Sequence, residues 1–187
     1  MLPRTHVPSL LVVAAFSRHA SALEWARRRL EADYGPIGLE SPEFSFHQTA
    51  YYEASMGKDL RKQFLGFEKL VPGDCLAKVK LHTNHLEAEL AKTGGYTEPR
   101  PLNLDPGLLQ LGKFMLATTK DQAHRIYLRD GIYAEVTLRF QDGAFEPWPW
   151  TYADYREQSI RDFLRTLRDY YRIQLASHQP AVPENPS

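Results

Sequence analysis

The stretch His124-Arg-Ile-Tyr-Leu-Arg-Asp-Gly-Ile-Tyr-Ala-Glu-Val-Thr-Leu-Arg-Phe140 decides the fold. Two alternating runs, His124 to Leu128 and Ile132 to Phe140, flank Arg129-Asp130-Gly131, where glycine supplies the positive φ of a tight turn. This predicts an antiparallel hairpin. Alternation sends Ile132, Ala134, Val136, Leu138 and Phe140 to one face and Tyr133, Glu135, Thr137 and Arg139 to the other. In the first strand Arg125 and Tyr127 lie opposite Ile126 and Leu128. One face of the hairpin is therefore expected to be apolar and to meet helices.

Outward from the hairpin, Asp142-Gly143 predicts a second turn, into a strand over Ala144 to Glu146. Ile160, Phe163, Leu164, Leu167, Tyr171 and Leu175 give a final helix over Ser159 to Ala176 one apolar face. Residues 177–187 carry prolines and no periodicity, which predicts a disordered tail. Upstream, Phe114 to Thr119 reads as a strand, and Leu108, Leu109 and Leu111 fit either a helix or a strand. A helix capped by Asp74 runs to Lys92, followed by a loop over Thr93 to Pro99. Leu60, Phe64, Phe67 and Leu70 predict a helical segment starting near Gly57. Phe44 and Phe46 predict a strand over Glu43 to Gln48. The chain opens with a central strand, Ser9 to Phe16, apolar without alternation. A helix from the capping box Ser21-Ala-Leu-Glu24 follows and stops at Gly35-Pro36. The sum is one α+β domain over 1–176, a mainly antiparallel sheet with helices packed chiefly on one face, in a ferredoxin-like or related two-layer arrangement.

The 187 residues include 23 Lys and Arg against 23 Asp and Glu, so the formal net charge is zero. That balance makes duplex nucleic acid and anionic membranes unlikely partners. The longest apolar run, Leu10 to Phe16, is far short of the ~20 residues that cross a bilayer. One cysteine, Cys75, excludes an internal disulfide and a multi-cysteine metal cluster, and a cytoplasmic location is expected.

The polar face of the hairpin has two readings. It is either a solvated sheet face with an Arg–Glu cross-strand pair or a ligand floor. Lys120, Asp121 and His124 enter it from the preceding loop. Lys120, Arg125 and Tyr127 would then bind an anion, with His124 and Glu135 as acid–base groups. Asn103-Leu-Asp-Pro-Gly107 is read as an Asx-type turn, or as a metal or hydroxyl contact through Asp105. If Glu53, Asp105, Asp121 and Glu135 converged, their oxygens would suit Mg2+. His82 and His85 lack a third ligand at a recognisable spacing and read as a solvated helix face. Trp148, Trp150, Tyr152 and Tyr155 either pack the last helix or, with nearby arginines, stack single-stranded RNA.

Several strings resemble a known family: Asn103 to Gly107, Ala117-Thr-Thr-Lys-Asp121, His124 to Leu128, Gly131 to Leu138 and Pro149-Trp-Thr-Tyr152. Tyr51-Tyr-Glu53, Met56-Gly57, Phe67 to Leu70 and Thr83-Asn84 agree with them. The family is the prokaryotic "domain of unknown function 4416" family, and the resemblance covers all but the termini. It implies that Lys120, Asp121, His124, Arg125 and Glu135 belong to the family's pattern, and it implies no established activity. Some members carry a "GTP-binding protein" label, yet a phosphate loop is missing. Gly57-Lys58 has Tyr52 where the loop needs its first glycine, and Asp59 where Ser or Thr should meet magnesium.

The function expected from these residues is binding of a phosphorylated small molecule or nucleotide in a polar pocket. Metal-assisted phosphoester chemistry would employ Asp105 and Asp121 as Mg2+ ligands. The alternative is a non-catalytic RNA-binding or adaptor module.

Overall fold

Leu10–Ser17 forms β1, eight residues that are all buried, and it is the axis on which the rest assembles. A computed structural model describes residues 6–46 and 50–178. After β1 come α1 (Ala20–Tyr34), β2 (Ile37–Glu40), β3 (Phe44–Phe46), α2 (Ala50–Met56), β4 (Leu60–Phe67) and α3 (Leu76–Lys92). The second half runs β5 (Asn103–Gln110), β6 (Lys113–Thr118), β7 (Ile126–Arg129), β8 (Ile132–Gln141), β9 (Ala144–Pro147) and α4 (Gln158–His178). The strands form one sheet in the order β2-β4-β1-β5-β6-β8-β7, with β3 beside β4 and β9 beside β8. Every recorded pairing is antiparallel.

β1 lacks alternation because both its faces are covered. Leu11, Val13 and Ala15 meet Leu23, Ala26 and Leu30 of α1 and Leu76, Val79 and Leu86 of α3. Leu10, Val12 and Ala14 meet Ile160, Leu164 and Leu167 of α4. Two of the three long helices share a face, as expected, and the third covers the other. The arrangement is therefore three-layered rather than two-layered.

The turns follow their residues. Asp130 and Gly131 have φ of 53° and 74°, the pair of positive values a tight hairpin needs, and β7–β8 and β8–β9 form as expected. Elsewhere the structure corrects the sequence expectations. The stretch after Gly57 is not a helix but the inner strand β4, paired with β1. Its Lys62 is buried, so an inward position had counted as polar and only the helix-like spacing remained visible. Ser21 is not a cap: α1 starts at Ala20 behind His19 with no side-chain cap bond, and Ser17 Oγ accepts the His19 N–H at 2.9 Å. Asn103 to Gly107 is not an Asx turn but the start of β5. Alternation in β8 breaks at Thr137, where its register against β6 shifts. Ile132 and Ala134 thus join the α1/α3 core, and Leu138 and Phe140 join the α4 core. Both faces of β7 are open, and no helix covers Ile126, 72% exposed. Ser177 and His178, expected in the tail, still belong to α4, and Gln48 and residues 179–187 lie outside the described residues. No described helix is long and apolar enough to cross a membrane.

A cavity where two strands part

β5 pairs with β6 from Gln110–Lys113 only as far as Gly107–Leu116. Both strands continue past that point, β5 along β1 to Asn103 and β6 along β8 to Thr118. The two strands therefore splay apart inside the sheet. Residues two apart in a strand present their backbone to the same edge, so Leu104 and Pro106 both face the gap. Pro106 has no N–H to leave unpaired. Leu104 has both groups, and α3 satisfies them. Glu87 Oε1 accepts the Leu104 N–H at 2.8 Å, and Lys80 Nζ donates to the Leu104 carbonyl at 2.8 Å. Gly107 closes the last paired step, where a Cβ would lie 2.5 Å from the Met115 carbonyl oxygen.

The gap holds a cavity of about 370 Å3, within the usual range for small-molecule sites. Lys80 and Asn84 line it from α3, and Tyr152 to Tyr155 line it from the turn before α4. Asn103, Asp105, Thr118, Thr119 and Lys120 form the parted strand ends, and Phe16, Phe46 and Tyr52 the far wall.

One hydrogen-bonded chain fixes the polar wall. Arg100 bonds Glu87 at 2.9 Å and also donates to the side-chain oxygen of Asn103. Asn103 Nδ2 donates to Asp105 Oδ2 at 2.9 Å, and Lys80 Nζ donates to Asp105 Oδ1 at 3.1 Å. Burial pushes the Asp105 carboxyl up, but Lys80 and Lys62 outweigh it and hold it below its ordinary value. Burial raises Glu87 against the opposing pull of Lys80 and Arg100. At the aromatic wall Lys62 pairs with Asp154 at 2.5 Å, with side chains only 3% and 7% exposed. Its ammonium also lies over Tyr155 at 4.4 Å, Phe16 at 5.2 Å, Phe46 at 5.3 Å and Phe64 at 5.6 Å from the ring centres. The Tyr155 hydroxyl is buried with no hydrogen-bond partner among the described residues.

Of the residues singled out in the sequence, Asn103, Asp105, Lys120, Tyr152 and Tyr155 line this cavity. Glu135, Arg125 and His124 form a cluster behind Tyr152. Arg125 Nε donates to Glu135 Oε2 at 2.9 Å, His124 Nε2 lies 3.3 Å from the same oxygen, and Thr137 donates to Oε1 at 3.1 Å. Arg125 also donates to the Lys120 carbonyl at 2.9 Å and to the Tyr152 hydroxyl at 2.7 Å. With its side chain 3% exposed, Arg125 ties Glu135, the Lys120 carbonyl and Tyr152 together behind the cavity wall. Burial, then Glu135, lifts Tyr152 to about 12 against the pull of Arg125, so it stays protonated. Tyr127 sits on the exposed edge strand against Tyr133, and Asp121 bonds Tyr133.

The four carboxylates considered for Mg2+ have separate partners, Glu53 pairing with Lys58 at 2.9 Å. No group of three His, Cys, Asp or Glu side chains able to hold a metal occurs among the described residues. His82 bonds Tyr34 at 2.7 Å, and burial raises the Cys75 thiol, as for a packed residue. Trp150 lies stacked between His124 and Trp148, at 5.3 Å and 5.2 Å. The Arg139 guanidinium lies over Trp148 at 4.8 Å. Trp150 is thus flanked on both ring faces by protein groups.

The sequence reading missed Lys62, Lys80, Asn84, Arg100 and Asp154. One signal was available: Lys80, Asn84 and Glu87 recur at helical spacing, a polar stripe running beside the apolar face of α3.

Fold and cavity together define an α+β protein whose split antiparallel sheet encloses a charged, ligand-sized pocket. The chain belongs to the family described as "Domain of unknown function (DUF4416)", whose model matches residues 7–171. No curated protein and no solved structure gives a significant match.

Proposed function

We propose that this protein binds a phosphorylated small molecule, a phosphate ester or a nucleotide, in the cavity between β5 and β6. The observation that carries the proposal is the charge of the lining: Lys62, Lys80, Arg100 and Lys120 against Asp105 and Asp154, with Glu87 behind the wall holding Arg100, so that four cations meet three carboxylates. A surplus of cations in a partly desolvated pocket favours an anion. Arg, Lys, amide and hydroxyl donors together suit phosphate oxygens. Asp105 is already held by Lys80 and Asn103, so the site carries a fixed pattern of charge before any ligand arrives, and little reorganisation is needed on binding. His124 and Glu135 do not line the cavity, so the proposal is for binding and assigns neither a catalytic role. A single cysteine agrees with a cytosolic setting.

A thermal-shift series with inorganic phosphate, sugar phosphates and nucleotides tests this. At least one phosphate compound raises Tm with a saturable dose dependence. Lys120→Ala weakens that ligand about tenfold, the loss of one charge-assisted contact. Arg129→Ala, on the remote β7 edge, leaves it unchanged. No shift with any phosphate compound, or equal shifts in wild type and Lys120→Ala, would refute the proposal.

A further inference from the structure

We infer that the ligand is a phosphorylated sugar or polyol rather than a nucleotide, with Asp105 and Asn84 receiving its hydroxyl groups; this rests on the phosphate-binding reading of the same cavity. Three observations at the cavity wall carry it.

The first concerns the aromatic rings, which would be the natural platform for a base. Phe16 stacks on Phe46 at 4.9 Å and Tyr155 stacks on Phe114 at 5.8 Å. The Lys62 ammonium lies over Phe16, Phe46 and Tyr155. Tyr52 meets Phe16 and Phe46 edge-on, and the Arg125 guanidinium lies 6.0 Å from the Tyr152 ring centre. Phe16, Phe46 and Tyr155 are spent on each other and on a cation of the protein itself. A purine or pyrimidine would have to displace a buried, paired lysine to stack on them, at the cost of leaving Asp154 unpaired.

The second is Asp105. An ionised carboxylate is acceptor-only, so it repels a phosphate and favours a ligand group that donates. Each oxygen has one bond within the polar wall, to Lys80 and to Asn103, which leaves further acceptor capacity on both. The side chain is 28% exposed and lines the cavity. A hydroxyl donates to that remaining capacity without bringing a further positive charge into the pocket.

The third is a set of neutral polar groups at the same walls. The Asn84 amide lines the cavity and can both donate and accept, which matches the double capacity of a hydroxyl. The buried Tyr155 hydroxyl has no partner among the described residues, and buried polar groups are ordinarily satisfied. A small ligand carrying several hydroxyls meets such scattered single groups, whereas a nucleotide places most of its surface in one planar ring.

Isothermal titration of the full chain with ribose 5-phosphate, glucose 6-phosphate, AMP, GMP and inorganic phosphate decides the matter. One sugar phosphate is expected to bind about tenfold or more tighter than inorganic phosphate and than either nucleotide, the discrimination that one or two hydroxyl contacts supply. Asp105→Asn and Asn84→Ala are each expected to collapse the ratio of sugar-phosphate to inorganic-phosphate affinity. Asn84→Ala removes no side-chain hydrogen bond among the described residues, so it keeps the test informative if Asp105→Asn is unstable. Tighter binding of AMP or GMP, or an unchanged ratio in Asn84→Ala, overturns the inference and leaves phosphate binding standing. Failure of all five compounds to bind overturns both.

Discussion

Lys62 occupies a strand position where a buried sheet ordinarily places a leucine or valine. Its ammonium is tolerated because Asp154 neutralises it and the surrounding rings offer their negative faces. The pair is nearly devoid of water, with side chains 3% and 7% exposed. Removing one partner strands the other's charge, so Asp154→Ala is expected to cost about 3–5 kcal/mol, read as a lower urea midpoint. Replacing both together, Lys62→Met with Asp154→Leu, is expected to recover most of that loss. A double variant no better than the single one would contradict the account of this wall. The same residue explains why so little of the site was legible. In the sequence Lys62 and Asp154 are two charges 92 positions apart, and nothing in either segment announces burial. His124, Arg125 and Glu135 were legible because they lie on one hairpin whose register the turn dictates. They do meet, but behind the cavity wall.

At the scale of elements, the cavity exists because β5 and β6 stop pairing after Gly107 and Leu116. Pro106 suits a strand that loses its neighbour, since no donor is left behind. Leu104 is held instead by α3, through Glu87 and Lys80. Glu87→Ala leaves the Leu104 N–H without its acceptor, removes the carboxylate that pairs with Arg100, and is expected to cost about 1–3 kcal/mol. Glu87→Gln, which keeps an acceptor oxygen, is expected to lose less. Chemical denaturation measures both, and equal losses would show that the bond to Leu104 is immaterial. Hairpins, α3 and α4 were legible because turn residues and long amphipathic stripes act locally. β4 was not: its pattern makes sense only once Asp154 is seen to bury Lys62. β5 was misread because Asn-x-Asp-Pro-Gly is locally a turn sequence, and pairing with β1 overrides that preference.

For the molecule as a whole, equal numbers of acidic and basic residues hide an uneven distribution. Surface pairs, such as Glu43 with Arg61 and Glu146 with Arg139, take one charge of each sign. The interior gap keeps more cations than carboxylates. Three layers make that possible: α3 seals the gap from one side of the sheet, and the turn before α4 lines it from the other. The most direct test of this account is the amide footprint of a phosphate ester on the labelled full chain, followed by two-dimensional NMR during titration with ribose 5-phosphate. The account predicts saturable shifts at Asn84, Asn103, Asp105 and Thr118 to Lys120, with Tyr127 and Leu128 on the β7 edge unmoved. Shifts centred on β7 or on Trp148 to Trp150, or no saturable shift anywhere, would contradict it.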